Sequence, residues 1–246
     1  MKVIFSVKSK TANRLGQLLN LPVITYLNDL DYPPEQIIRW GRTGLFNGKQ
    51  INTAEAVEKA SNKILCRKLL EEARLPVPTL TETDFPVIGR PSRHHSGHGF
   101  FVCYTTRDVR RAKRKGATYF SKFYPKQNEY RVHVAGGKCI LMSVKEGNKN
   151  KFIWNKRKNG FWFRHMRRSD WLYDEQLMEI VRTAKEAIKI LGLDFGAVDI
   201  LADAEDGQPD FVICEVNTAP ALSPLALSKY AKYFKRKLGI DYSIIL

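Results

Sequence analysis

Apolar and polar positions along the 246-residue chain fall into short blocks with two distinct periods. Apolar runs at Val3 to Val7, Val23 to Tyr26 and Ile37 to Trp40 predict strands, and Thr11 to Leu19 predicts a helix, with Asn, Asp and Pro punctuating the joins. This reads as a small α/β lobe of about three strands. A second block opens at Asn52 and Thr53, a pair suited to helix capping, runs helically to Arg74 and stops at Pro76 and Pro78. Apolar runs at Phe85 to Ile88 and Phe100 to Tyr104 flank the glycine-containing loop SRHHSGHG and predict a hairpin; a helix over Thr106 to Lys115 and a strand over Thr118 to Phe123 follow. The third block begins with Tyr130 to Val134, turns at Gly136 and Gly137, and continues as Cys139 to Val144, an antiparallel hairpin. Leu177, Val181, Ala184, Ile188 and Leu191 form a helical stripe ended by Gly192. Two closing strands, Gly196 to Leu201 and Phe211 to Val216, are joined by the turn-rich AEDGQP.

Composition narrows the class. A hydrophobic content of 43% supports a real core. No run approaches the roughly 20 apolar residues of a membrane helix, and MKVIFSVKSK lacks the apolar stretch and cleavage site of a signal peptide, so the expected location is the cytoplasm, without membrane contact. Cys66, Cys103, Cys139 and Cys214 are widely separated, and the last three lie in strand-like apolar runs, which argues against zinc and disulfides. The net charge of +16 favours polyanionic partners such as nucleotides, nucleic acid or acidic peptides; a solvated surface is the plain alternative.

The last strand pair carries the clearest chemistry. With side chains alternating every two residues, Glu215 and Asn217 share a face of Phe211 to Asn217, together with Phe211 and Ile213, while Val212, Cys214 and Val216 share the other. On the neighbouring strand Asp199 shares a face with Ala197 and Leu201, between apolar Val198 and Ile200. Two carboxylates and an amide carbonyl make an all-oxygen set suited to a hard cation such as magnesium. A salt-bridged pair facing Arg131 or Lys145 is the alternative, and spacing does not separate the two. The loop PSRHHSGHGF offers N–H groups, a hydroxyl and imidazoles to phosphate, although the Walker pattern is absent. His94, His95 and His98 have no carboxylate partner nearby, so phosphate contact or solvation is the better reading than metal ligation.

Taken in order, the helix with SNK and LPVPTL, the strand PVIGRP, the glycine loop, TYFSKFY, EYRVHVAGGK, LDFGAVDIL and FVICEVNTAPALSP resemble the ATP-grasp superfamily over essentially the whole chain. The style is similar to that of ribosomal-protein glutamate ligases, with D-alanine:D-alanine ligase a more distant likeness. The resemblance implies an α/β (α+β) ATP-grasp fold with a short N-terminal substrate-side lobe (1–50), a central lobe with the glycine loop (51–124) and a C-terminal lobe with the metal site (125–246), the last two sandwiching ATP. It implies that Asp199, Glu215 and Asn217 hold magnesium, expected as two ions with Mn2+ able to substitute, and that Lys63 reaches the ATP phosphates. Arg90 stands where a strand-borne lysine is usual. It implies that Ser96, Gly97, His98 and Gly99 belong to a loop that closes over ATP. Ser121, Lys122, Phe123 and Tyr124 match the hinge strand beside adenine, and Glu129 a ribose-contacting acid. Plain readings stay open for several of these: an exposed Lys63, core aromatics at Phe123 and Tyr124, a Glu129 paired with Arg131. Arg131 matches the arginine near the transferred phosphate, and Lys145 with Trp154 and Asn155 the loop that meets γ-phosphate and substrate.

The implied activity is ATP- and Mg-dependent joining of a carboxylate to an amine through an acyl phosphate. Alternatives are a kinase acting on an anionic small molecule and a nucleotide-binding module without catalysis. Three basic stretches, Arg107 to Gly116, Asn148 to Lys158 and Arg164 to Arg168, the last two interleaved with aromatics, suit an acidic peptide tail or nucleic acid, or are simply solvated. RWGRTG (Arg39 to Gly44) could anchor a carboxylate through Arg42. Ala197 stands where dipeptide ligases of this family carry a substrate-binding arginine, which speaks against D-alanine:D-alanine ligase activity.

Overall fold

The computed structural model describes residues 1–7, 9–92, 99–147, 160–203 and 210–240. The β-prone N-terminal run forms β1 (Lys2–Ser6), and Ser9 caps α1 (Lys10–Leu19) by accepting from the Ala12 N–H, leaving Asn20 to end the helix in the left-handed conformation. β2 (Val23–Ile24), β3 (Gln36–Trp40) and β4 (Lys49–Ile51) complete an all-parallel sheet in the order β2-β1-β3-β4. The lobe therefore has four strands, one more than the sequence pattern suggests, because Lys49–Ile51 is too short to show a period.

The helical stretch after Thr53 is not one helix. It breaks at Asn62 into α2 (Ala54–Ser61) and α3 (Lys63–Glu72), with Asn62 both ending α2 and capping α3 through its side chain. A three-stranded antiparallel sheet follows, with β5 (Val87–Arg90) between β6 (Phe101–Cys103) and β7 (Tyr119–Lys122), and α4 (Thr106–Arg114) lies against it through Val109 and Ala112. A capping box between Thr105 and Asp108 opens α4.

The largest layer is a five-stranded antiparallel sheet in the order β10-β9-β8-β11-β12, built from β8 (Asn128–Ala135), β9 (Lys138–Glu146), β10 (Trp162–Met166), β11 (Phe195–Ala202) and β12 (Phe211–Asn217). One face is apolar. It packs against α6 (Glu175–Ile190), which buries Leu177, Ile180, Val181, Ala184 and Ile188, each large aliphatic contributing about 1.5–3 kcal/mol on leaving water. Ala56, Ala60, Cys66 and Leu70 bring α2 and α3 into this same core. α5 (Arg168–Leu172) and α7 (Pro224–Leu238), which the period analysis does not predict, complete the fold. α7 lays Tyr230, Ala231, Phe234 and Leu238 across Trp40 of the first lobe and Phe195 of β11, with Trp40 stacked on Phe195 at 5.4 Å, so the first and third sheets share one aromatic core. Among the described residues no helix is long and apolar enough to cross a membrane.

Strict alternation fails in two places: the β8–β9 register slips between His133 and Val134, which pair with Leu141 and Cys139, and a second slip bears on the polar face. The β11–β12 register slips between Asp199 and Ile200, which pair with Glu215 and Ile213, so Cys214 is the extra residue of a bulge. Ile213 and Phe211 consequently join Val216 in the α6-facing core instead of sharing a face with Glu215, which corrects the face assigned to them by simple period-two counting.

Candidate active site

Opposite α6, the second face of the large sheet is polar. Cross-strand register places His165 of β10, Ser143 of β9, Arg131 of β8, Asp199 of β11 and Glu215 of β12 directly opposite one another in sequence, a single row spanning all five strands. The bulge at Cys214 keeps Glu215 in that row and Asn217 opposite Ala197, on the same face. Asp199 is buried, and Arg131 grips it with two parallel bonds, Nε to Oδ1 at 2.6 Å and Nη2 to Oδ2 at 2.7 Å. Asn217 Nδ2 donates to the same Oδ2 at 3.2 Å. Burial disfavours the Arg131 cation, but Asp199 outweighs it and holds the guanidinium firmly protonated.

Lys63, the first residue of α3, reaches Glu215 at 3.0 Å and the Val216 carbonyl at 3.0 Å. A cation at a helix N-terminus opposes the helix dipole, and the Glu215 carboxylate offsets it. The exposed-lysine reading of Lys63 is thereby corrected. Arg90, at the end of β5, lies over the Phe100 ring at 4.8 Å.

One row further along, Glu129 is buried between Lys145 at 2.7 Å and Lys126. Burial pushes its pKa up, yet the two ammonium groups together win and hold it at about 2. Glu129 pairs with these lysines and not with Arg131, correcting the ion pair that sequence proximity suggests. Lys145 belongs to strand β9 and is itself buried, not part of a loop. Beneath these cations lie aromatic faces: Phe163 under Arg131 at 4.6 Å and Phe161 under Lys145 at 4.3 Å. Part of the third basic stretch is thus a strand of the site, which turns Phe163 and His165 inward, while Arg164 on the other side pairs with Glu146. Ser143 Oγ and His165 Nδ1 are 2.9 Å apart.

Ser121 to Tyr124, expected as the hinge strand, run from β7 toward β8. Ser121 and Tyr124 are buried, the N–H groups of Lys122 and Phe123 donate to Thr79 and Pro86, and the Lys122 ammonium pairs with Asp84 at 2.8 Å. Gly99 adopts a left-handed φ of +67°, and a Cβ there would lie 2.6 Å from Pro91, so glycine is required at this end of the loop. Ser96, Gly97 and His98 lie outside the described residues, as do His94, His95, Trp154 and Asn155.

Sequence reasoning missed Lys126, Phe161, Phe163, Ser143 and His165. For Ser143, Phe163 and His165 the signal was present only as register, since they pair with Arg131, Lys145 and Ser143 respectively once β8, β9 and β10 are aligned; Lys126 lies three residues before Glu129, and Phe161 just before β10. Burial raises the thiols of Cys66 and Cys139 to about 11, so they are poor nucleophiles, and all four cysteines are free.

No family model matches this sequence, and no curated protein is similar to it by sequence. Solved structures do match it. D-alanine–D-alanine ligase from Bacillus anthracis superposes with a TM-score of 0.68 at 15% identity, over 98% of this chain and 93% of that one. The VanG D-Ala:D-Ser ligase from Enterococcus faecalis gives 0.71 at 14% identity, over 97% and 98%. PsnB, an ATP-grasp ligase solved with its minimal precursor, gives 0.67 at 13% identity, over 96% and 98%; PsnB has also been solved with that precursor, Mg and ADP. At such identities the likeness speaks to architecture, and the architecture of this chain, three sheets with a polar row across the largest, is the ATP-grasp fold.

Proposed function

We propose that this chain is an ATP- and Mg2+-dependent ligase that activates a carboxylate as an acyl phosphate and joins it to an amine. The observation that carries the reading is the row Arg131, Asp199, Glu215 with Asn217 and Lys63, which gathers cations and hard oxygen donors on one sheet face. The ligases that share the fold, including one solved with Mg and ADP beside a peptide precursor, support the reaction class.

The donor set fits magnesium. Among the described residues no three His, Cys, Asp or Glu side chains converge. Magnesium, however, takes one or two carboxylates and completes its shell with phosphate oxygens and water. Asp199, Glu215 and the Asn217 carbonyl meet that demand. The ions, when bound, would neutralise charge on the phosphate oxygens of ATP.

The chain's own residues do the rest. Lys63 holds Glu215 and Arg131 holds Asp199, so both cations are positioned to balance the triphosphate beside the metal carboxylates, while Arg90 presents a planar guanidinium suited to a bidentate grip on phosphate. Arg131, stacked on Phe163, is fixed in direction and suited to hold the oxyanion that forms when the amine attacks the acyl phosphate. Ser121 to Tyr124 would line the adenine, and Lys145, neutralised by Glu129, would face the transferred phosphoryl group.

The test is Asp199→Asn and Glu215→Gln, each expected to lower magnesium-dependent ATP turnover by roughly 10²-fold or more with the melting temperature checked in parallel. Full turnover in both variants sinks the assignment. Mass spectrometry of a cell extract incubated with the protein and ATP distinguishes an amide product from a phosphorylated one.

A further inference from the structure

The first lobe holds a second cationic cluster that the row across the large sheet does not use. Arg39 is wholly buried on β3, with Nε donating to Gln50 Oε1 at 2.7 Å, Nη2 to the Gly44 carbonyl at 2.7 Å and Nη1 to the Arg42 carbonyl at 3.3 Å. Burial lowers its pKa. Arg42 projects its guanidinium over Phe5 at 5.6 Å and over Tyr26 at 5.2 Å, and Arg39 approaches the same Phe5 ring at 5.5 Å. Among the described residues neither guanidinium has a carboxylate within ion-pair reach. A buried cation without a counter-charge is costly, and two beside one ring repel each other.

Their position explains what the cost could serve. Phe5, Tyr26 and Arg42 lie at or just beyond the carboxyl ends of β1, β2 and β3, the edge of a parallel sheet where ligands are bound in α/β folds. That edge abuts the chain leaving β12: a Cβ on Gly41 would sit 2.6 Å from the Ala219 Cβ, two residues after Asn217. The buried Arg39 clamps the 42–44 backbone, so Arg42 is held at the seam between the first lobe and the proposed metal end of the sheet.

We propose that Arg42, backed by Arg39, anchors a carboxylate of the ligase substrate at this seam. The proposal rests on the ligase reading, in which phosphate is already provided for at Lys63 and Arg131 and the remaining anion is a carboxylate, matched by a guanidinium fork.

The experiment treats the intact chain with limiting phenylglyoxal, an arginine reagent, and follows each arginine by peptide mass spectrometry, with glutarate as the probe. Glutarate is expected to slow modification of Arg42 severalfold while leaving exposed Arg164 unaffected; glutaramide and sulfate at matched ionic strength should not protect. In Arg42→Gln, calorimetric glutarate affinity should fall about tenfold at unchanged melting temperature. Equal modification with and without glutarate, or equal protection by sulfate, overturns the proposal. Mg–ADP binding measured on the same preparation keeps the two readings apart. Its loss with protection intact sinks the ligase assignment alone, and its retention without protection sinks the Arg42 site alone.

Discussion

His133 occupies the same polar face as Arg131, two residues further along β8, but it is buried and within 3.3 Å of the Tyr230 hydroxyl, which donates to the Gly196 carbonyl. Burial, with help from Arg131 and His165, lowers its pKa to about 3. The unfolded chain therefore binds a proton near pH 6.5 that the folded chain refuses, so stability present above that pH drains away as pH falls toward 3. By pH 5 the loss is about 2 kcal/mol. Glu129 adds its own loss only below its unfolded value of 4.5, because Lys126 and Lys145 hold its folded pKa at about 2. Urea titrations between pH 6.5 and 5 isolate the histidine, and His133→Gln is expected to flatten that slope; an unchanged slope removes His133 as the cause. None of this was legible from the sequence, where His133 is one more polar residue in an alternating strand. The clustering of Asp199, Glu215 and Asn217 was legible because carboxylates on apolar strands are conspicuous, whereas Phe163 acquires meaning only from Arg131 and Lys145 on other strands, and Lys126 only once Glu129, three residues on, is seen to be buried.

At the scale of elements, the junctions carry information that periodicity does not. Asn52 reads as half of a capping pair, but Thr53 alone caps α2. Asn52 instead adopts a left-handed φ of 62°, fully buried, and ties the entry of α2 to the start of β11. Its Oδ1 accepts from Asp194 N–H at 2.7 Å and Phe195 N–H at 3.1 Å, and its Nδ2 donates to the Phe195 carbonyl at 3.0 Å. Asn52→Ala strands these buried groups and is expected to cost roughly 3 kcal/mol, read as a lower urea midpoint at constant m-value. A change below half that size would show that water replaces the amide. Long helices and hairpins were predictable because their periods repeat. β4 and β10 were not, being short or half-exposed, and α7 was missed because its sequence resembles a basic surface segment until Trp40 and Phe195 reveal what its aromatics cover. The bulge at Cys214 is of the same kind: one extra residue, invisible to a period-two count, decides that Ile213 faces α6 while Glu215 stays in the polar row.

Across the whole molecule the +16 charge is unevenly used. Much of it is spread on α4, where Arg107, Arg110, Arg111 and Arg114 are exposed and Lys113 pairs with Glu82. A smaller share is invested in the interior, where Arg131, Lys63, Lys145 and Lys126 each hold a carboxylate. The three basic stretches of the sequence therefore divide: the α4 stretch presents an exposed cationic face, the Arg164 to Arg168 stretch adjoins the polar row, and Asn148 to Lys158 lies outside the described residues. The ordering of the lobes, with α7 joining the first sheet to the third, links the lobe that carries the Arg42 seam to the sheet that carries the polar row through one continuous aromatic core. That arrangement could not be deduced from local patterns, since Trp40, Phe195 and Tyr230 are separated by most of the chain.

The bidentate Arg131–Asp199 pair and the Lys63–Glu215 pair have a further consequence when considered as counter-ions. On the proposed reading each carboxylate is already neutralised by a cation that also suits phosphate. A divalent ion arriving alone must compete with those side chains, and a nucleotide arriving alone must draw them off their carboxylates. With both bound, Asp199 and Glu215 would be free to hold the metal while Arg131 and Lys63 turned to the phosphates, so no charge would be left unmatched. The two ligands should then be positively coupled, each raising the other's affinity by the same factor, about 5- to 150-fold for ordinary coupling energies. Calorimetry of Mg2+ with and without ADP, and of ADP with and without Mg2+, measures both arms. Independent binding would mean that the resident cations do not move, and that the sheet holds its ion pairs for structure alone.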